Sequence, residues 1–275
     1  MSYRKHHVKN KIHQIRPKKR FYKKPFFWAL ALAFILLASG IYVFLFFPGL
    51  QVKNVVVSGN EKISAEDLQN MASTGINRKI IGVGNWGIFS KTIFLVDATD
   101  INKQILDKFP IIESVQITKK YPESIILGIT ERKPVGIFCV GAENKSCFLI
   151  DINGVAFEPA PQINENFSII RNTISEKEVF VGEKAVEANI INAISKIEKN
   201  LKDNFQINVT EALISDPSRV DIKTSENWSA YFDLNSDINL QIIKLDSLLK
   251  NDIMQENRPN LQYIDLRFKD KAYYK

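Results

Sequence analysis

"ESVQITKKYPESIILGITER" occupies residues 113–132. Val115 and Ile117 alternate with polar residues before Tyr121-Pro122-Glu123, and Ile125, Leu127 and Ile129 alternate after it. A period of two on both sides of a proline-bearing turn reads as a β-hairpin with one buried face. Upstream, "VKNVVVSG" (52–59) reads as a short strand. Ser64 of "SAED" (64–67) caps a helix, with Asp67 reaching back in a capping box. Leu68, Met71 and Ala72 fall on one face of that helix. A second helix starts near Asp97 to Asp100, turns Ile101, Ile105 and Leu106 inward, and ends before Pro110. The order is therefore strand, helix, helix, strand, strand. It is too closely punctuated for a parallel doubly wound domain.

Between the helices, "GVGNWG" (82–87) fits the G-x-G-x-x-G pattern of a dinucleotide-binding turn. That chemistry needs a helix opening at the glycines, so that its N-terminal amides hold a pyrophosphate. The chain instead continues as "IFSKTIFLVD" (88–97), rich in β-branched and aromatic residues and without a helical apolar period. The stretch is expected to be a flexible connecting loop.

Toward the N-terminus, Phe26 to Phe47 is "FFWALALAFILLASGIYVFLFF", with no charged residue. As a helix it spans about 33 Å, against a hydrocarbon core of about 30 Å. Trp28 and Tyr42 lie toward its ends, where amphipathic rings favour the interface. Pro48 and Gly49 stop it. Residues 1–24 carry ten Lys/Arg and no acid. The positive-inside rule holds that end in the cytoplasm and puts the remainder outside. The apolar run is too long for a cleaved signal peptide, so an uncleaved anchor is expected. The formal charge of +7 belongs to this tail, because the rest carries 27 basic against 30 acidic residues, a net of about −3. No basic face for nucleic acid is left. His6, His7 and His13, the only histidines, also sit in the tail. Histidine-based catalysis and a His-bearing metal site are thereby excluded downstream. No P-loop is present, and no pair of carboxylates stands out. The reading is of a non-enzyme with no cofactor, no metal and no small-molecule substrate.

From Pro134 onward, short strands dominate. A helix near 187–201 spaces Ile190, Ile191, Ile194, Ile197 and Leu201 helically. Another near 237–250 has Leu240, Ile243, Leu248 and Leu249 as its apolar positions. Strand candidates are 206–210, 219–223, 228–234, 262–268 and 271–274. "IDINGVAF" (150–157) reads as a hairpin turned by Asp151 and Gly154. A mainly antiparallel sheet with both helices on one face is the expected α+β solution. Cys139 and Cys147, the only cysteines, flank a hairpin turn. An exterior compartment can be oxidising, so a disulfide is expected, with two reduced thiols as the alternative.

The end of the sequence suggests a mechanism. In "LQYIDLRF" (261–268), Ile264, Leu266 and Phe268 alternate toward a core, while Tyr263, Asp265 and Arg267 face away. "KDK" turns the chain, and Ala272, Tyr273 and Tyr274 form a last short strand ending at Lys275, with no tail expected. Such a strand is a sheet edge with unpaired backbone groups. A partner strand would satisfy them, anchored on Tyr273 and Tyr274. The same residues could instead pack at a protected edge.

Four stretches carry a family resemblance: "VVVSGN" (55–60), "DINKQILDKFPIIESVQITKKYPESIILGITERKPV" (100–135), "FLIDINGVAFEP" (148–159) and "LQYIDLRFKDKAYYK" (261–275). Behind a basic tail and a single span, this order resembles the bacterial cell-division family FtsQ/DivIB. The resemblance covers nearly the whole chain, although 162–258 matches in layout more than in residues. It implies a basic cytoplasmic tail (1–25), a transmembrane helix (26–48), a POTRA domain (50–132) and a β domain (133–275). It also implies a divisome scaffold at the septum of the plasma membrane. The C-terminal part of its β domain would bind an FtsB/FtsL-type pair that regulates septal peptidoglycan synthesis. The segment 76–96 looks longer than a POTRA domain needs. POTRA domains also serve as receptors for outer-membrane β-barrel precursors, but this sequence has one such unit and no series of amphipathic barrel strands.

Overall fold

The computed structural model describes residues 24–83, 86–140, 146–160, 167–174 and 178–275. Residues 1–23 of the basic tail, with its histidines, lie outside them, as do residues 84–85 and 141–145. Helix α1 (Pro25–Phe46) has proline in its first turn and no buried residue. It is the one helix among the described residues long and apolar enough to cross a membrane.

The first unit places β1 (Asn54–Ser58), α2 (Ala65–Ile76), α3 (Ala98–Lys108), β4 (Ile112–Lys120) and β5 (Ser124–Glu131) around one core. Strand β5 is central, parallel to β1 and antiparallel to β4. Alternation decides its faces: Ile125, Leu127 and Ile129 are buried against Leu68, Ala72, Ile101 and Ile105 of the helices. Ser64 caps α2 by accepting from the Glu66 N–H, and Asp97 caps α3 through Thr99 and Asp100. Ser, Thr, Asp and Asn are the side chains that close a helix start in this way. The Glu131 carboxylate accepts from the N–H groups of Glu61, Lys62 and Ile63. Burial raises its pKa, but these three donors outweigh burial and hold the carboxyl below its ordinary value.

The glycine stretch corrects the expectation of a flexible loop. Its described residues lie on a two-stranded hairpin, β2 (Arg78–Val83) and β3 (Trp86–Ser90), with Gly82 opposite Gly87. Strand β3 continues from Gly87, so no helix opens there to offer amides to a phosphate.

The second unit is a nine-stranded mixed sheet. Its strands are β6 (Gly136–Val140), β7 (Ser146–Ile150), β8 (Ala156–Pro159), β9 (Ile169–Asn172), β10 (Val209–Asp216), β11 (Arg219–Thr224), β12 (Ser229–Asp233), β13 (Tyr263–Asp265) and β14 (Tyr273–Tyr274). Their order is β14-β13-β12-β11-β10-β9-β6-β7-β8. Antiparallel pairs outnumber parallel ones, the parallel ones being β12–β13, β10–β9 and β6–β9. Strand β9 was not among the expected strands. The core between the sheet and helices α4 (Ala188–Phe205) and α5 (Ile238–Ser247) gathers Ile191, Ile194, Ile197, Trp228, Phe232 and Leu245. Gly154 turns β7 into β8 at φ +76°, where a Cβ would sit 1.9 Å from the Val186 carbonyl oxygen. Cys139 and Cys147 are cross-strand neighbours on β6 and β7 and are joined as a disulfide in the structure.

Helix α5 presents a different face from the expected one. Leu240 and Ile243 are 60% and 62% exposed, whereas Gln241 and Leu245 are buried; Leu249, just past the end of α5, is buried as expected. The Gln241 amide explains the rotation: it accepts from the Asp233 N–H and donates to the Asp233 carbonyl oxygen. A buried polar side chain is tolerated when its hydrogen bonds are made.

Candidate partner-binding edge

Among the described strands, β14 closes one end of the large sheet. Tyr274 opposes Ile264 and Tyr273 opposes Asp265. Lys275 and Tyr263 exchange both backbone hydrogen bonds. Such pairs alternate along an antiparallel ladder, so the N–H and C=O of Tyr274 point away from β13. Tyr273 and Tyr274 are about half exposed. Ala272 packs instead against the core.

Behind this edge, the sheet face opposite the helices carries aromatic rings and paired charges. Tyr231 of β12 stacks on Tyr263 of β13 at 5.6 Å between centroids. The Arg219 guanidinium lies 4.6 Å from the Tyr231 ring centroid, and that of Arg267 lies 5.8 Å away. Cations over aromatic faces are attracted by the ring quadrupole. Arg219 pairs with Asp221, and Arg267 grips Asp265 through Nε and Nη2 at 2.8 and 2.6 Å. That two-point hydrogen bond holds the Asp265 carboxyl below its ordinary pKa, against the opposing effect of burial.

Two placements correct the alternation expected of 261–268. Asp265 is only 7% exposed, because Arg267 neutralises it in place. Phe268 is 48% exposed: β13 ends at Asp265, and the chain bends before Phe268 can reach the core. Its ring meets Tyr273 edge-on at 5.0 Å. The bend is held by Lys244 of α5, whose ammonium donates to the carbonyl oxygens of Leu266 and Phe268. Burial of that ammonium lowers its pKa. A cleft of about 290 Å³ opens beside it, lined by Leu240, Gln241, Lys244, Leu266 and Phe268. Tyr231, Arg219 and Leu240 were not among the site residues expected from the sequence. The signal for the first two was the alternation of "SAYFD" and "RVDIK", which turns Tyr231 and Arg219 to the same face.

The arrangement offers backbone groups, rings and charges to another chain. Among the described residues, no three His, Cys, Asp or Glu side chains gather so as to hold a metal ion.

Residues 50–132 match the family model described as "POTRA domain, FtsQ-type". This chain is FtsQ/DivIB-like. A stretch of 109 residues is 27% identical to the cell division protein FtsQ of Streptomyces griseus, covering 39% of this chain. It spans 44% of that relative's length, so the match covers less than half of the FtsQ chain. In the FtsQ/DivIB-like chain, the POTRA domain is thus the first unit, between α1 and the large sheet.

Proposed function

We propose that this chain is a non-enzymatic scaffold of the bacterial division machinery. Helix α1 anchors it in the plasma membrane, with the basic tail cytoplasmic and both folded units outside. At the septum it links division proteins and holds an FtsB/FtsL-type single-span partner, through which septal peptidoglycan synthesis is controlled. The observation that carries this reading is the open β14 edge, set beside exposed tyrosines in a chain with an FtsQ-type POTRA domain. A partner strand laid on β14 would satisfy the outward N–H and C=O of Tyr274. The stacked Tyr231–Tyr263 face and the cleft beside Lys244 would then flank the incoming chain.

Tyr274→Pro tests the edge. Proline removes the outward N–H and leaves the Lys275–Tyr263 pair available, and edge strands tolerate proline where the lost N–H faces solvent. Full-length chain in detergent is titrated with the small single-span coiled-coil division protein of the same bacterium. Wild type is expected to bind, and Tyr274→Pro at least about tenfold more weakly, the equivalent of about 1.4 kcal/mol. Equal binding would move the docking surface off β14. No binding by either protein, with β-barrel precursors captured instead, would end the division reading.

A further inference from the structure

The last turn of α1 is tied into the POTRA domain. The Leu45 carbonyl oxygen accepts from Ser90 Oγ at 2.6 Å and from Gln51 Nε2 at 2.7 Å. The Phe44 carbonyl oxygen accepts from Thr92 Oγ1 at 3.3 Å. These are orphan acceptors of a helix end, and here the domain itself supplies the donors. The Phe94 ring stacks on Phe44 at 4.9 Å, and Tyr121, at the β4–β5 turn, packs on Phe94 at 5.5 Å. The domain therefore stands with this turn and the base of β3 at the level where α1 ends. Its opposite end is the nine-residue length of β4 away, about 30 Å.

We propose that this face of the POTRA domain is a lipid-seated collar whose occupant is the phospholipid bilayer. The proposal rests on the reading of α1 as a membrane span. Phe47, Ile88, Phe94 and Tyr121 are 53%, 50%, 43% and 59% exposed. Isolated apolar residues on a surface need no explanation, but these cluster around one helix end. Strand period places Ile88 on the same face as Ser90, the residue that reaches the α1 carbonyl. Ile88 thus extends the α1 contact outward along β3. Phe94 touches a residue inside the last turn of α1, so it lies at the depth of that turn. Tyrosine favours this boundary, where an apolar ring carries a polar hydroxyl into the headgroup layer, and phenylalanine buries its ring against the acyl side of it. Lys91 and Lys120, both exposed, are the sequence neighbours of Ser90 and Tyr121, and basic residues near a bilayer surface are attracted by anionic lipid. The Ile88–Ser90 end of β3, in a hairpin beyond what the strand-helix-helix-strand-strand core requires, is explained as a part of the domain that rests on the membrane.

The test uses purified full-length chain in nanodiscs of phosphatidylethanolamine and phosphatidylglycerol, with no partner protein. Single nitroxide labels are placed on Ile35, Ile88, Phe94 or Phe180, and collision with oxygen is compared with collision with a water-soluble nickel chelate. Ile35 is the mid-span reference. Phe180 is the aqueous reference, since Gly182 two residues on lies against Pro110, at the far end of β4. Ile88 and Phe94 are expected to show an oxygen-to-nickel ratio several-fold above that of Phe180 and below that of Ile35. Ratios at Ile88 and Phe94 equal to that of Phe180, with Ile35 lipid-buried, would overturn the collar and leave the span intact. An aqueous Ile35 would overturn the span and the collar together.

Discussion

Asp265 shows how one residue escapes the pattern that surrounds it. Alternation assigns it outward, yet it is buried, because the Arg267 guanidinium two residues away supplies the positive charge and the donors that water would otherwise provide. Its carboxyl is held below the ordinary value chiefly by that hydrogen bond. A depressed carboxylate pKa contributes stability that is present above the unfolded-state value and lost as pH falls through the folded-state value. Asp265→Asn is therefore expected to loosen the terminal strands by about 1–2 kcal/mol at neutral pH. The difference from wild type should shrink below about pH 4. Amide exchange over residues 262–275, corrected for intrinsic rate at each pH, reads this directly. Protection unchanged at neutral pH would show that Arg267 holds the bend without its partner.

The elements divide by how much of their burial is apolar. Strands β4 and β5 were legible because Val115, Ile125, Leu127 and Ile129 follow a clean period of two into one core. Helices α2 and α3 were legible because Ser64 and Asp97 mark their starts. The β2–β3 hairpin is hard to read because its glycines interrupt the strand signal of the β-branched and aromatic residues beside them, and only the pairing joins the two strands. Strand β9 is four residues long and pairs in parallel with strands far away in sequence, which no local pattern records. Of the candidate edge, the tyrosines of β14 could be read directly. Tyr231 and Arg219 could not be joined to them, since β11 and β12 meet β13 only through the sheet order. Helix α5 was read on the wrong face because its buried position 241 is a glutamine. This last case has an opposed pair of outcomes. A pattern reading expects Gln241→Leu to stabilise the helix. The structure expects it to cost about 2 kcal/mol, since the Asp233 N–H and carbonyl lose their partner. Leu240→Gln, on the exposed face, is expected to shift stability by less than about 0.5 kcal/mol. Denaturant midpoints of the two variants separate these readings, and a stabilised Gln241→Leu would refute the assignment of the hydrogen bonds as the cause of the rotation.

Across the whole molecule, a collar at the membrane and an edge on the far sheet can cooperate only if the joint between the two units is stiff. Arg132, just past β5, supplies that joint. Its Nε donates to the Pro110 carbonyl oxygen at 3.0 Å, and its Nη1 meets Asp151 Oδ2 at 2.5 Å in the β7–β8 turn. The two side chains are 15% and 3% exposed. Asp151 also accepts from the Asn153 and Val155 N–H groups, so the turn and the joint share one carboxylate. A second bridge, Lys62 to Glu158, also spans the units, but its side chains are 56% and 39% exposed. Exposed pairs contribute about 0–1 kcal/mol, whereas breaking a buried one leaves an uncompensated charge at a cost of about 3–5 kcal/mol. The magnitudes assign the stiffness to Arg132. Spin labels on exposed Lys103 of α3 and Lys196 of α4, one in each unit, measure it as a distance distribution in the full-length chain. Wild type and Lys62→Ala are expected to give one narrow distribution. Arg132→Ala should broaden it, and Arg132→Lys should restore it only in part, because an ammonium cannot replace the two-direction grip of a guanidinium. A narrow distribution in Arg132→Ala would place the stiffness in the remaining contacts between the units, and the height of the β14 edge above the bilayer would then be set without this ion pair.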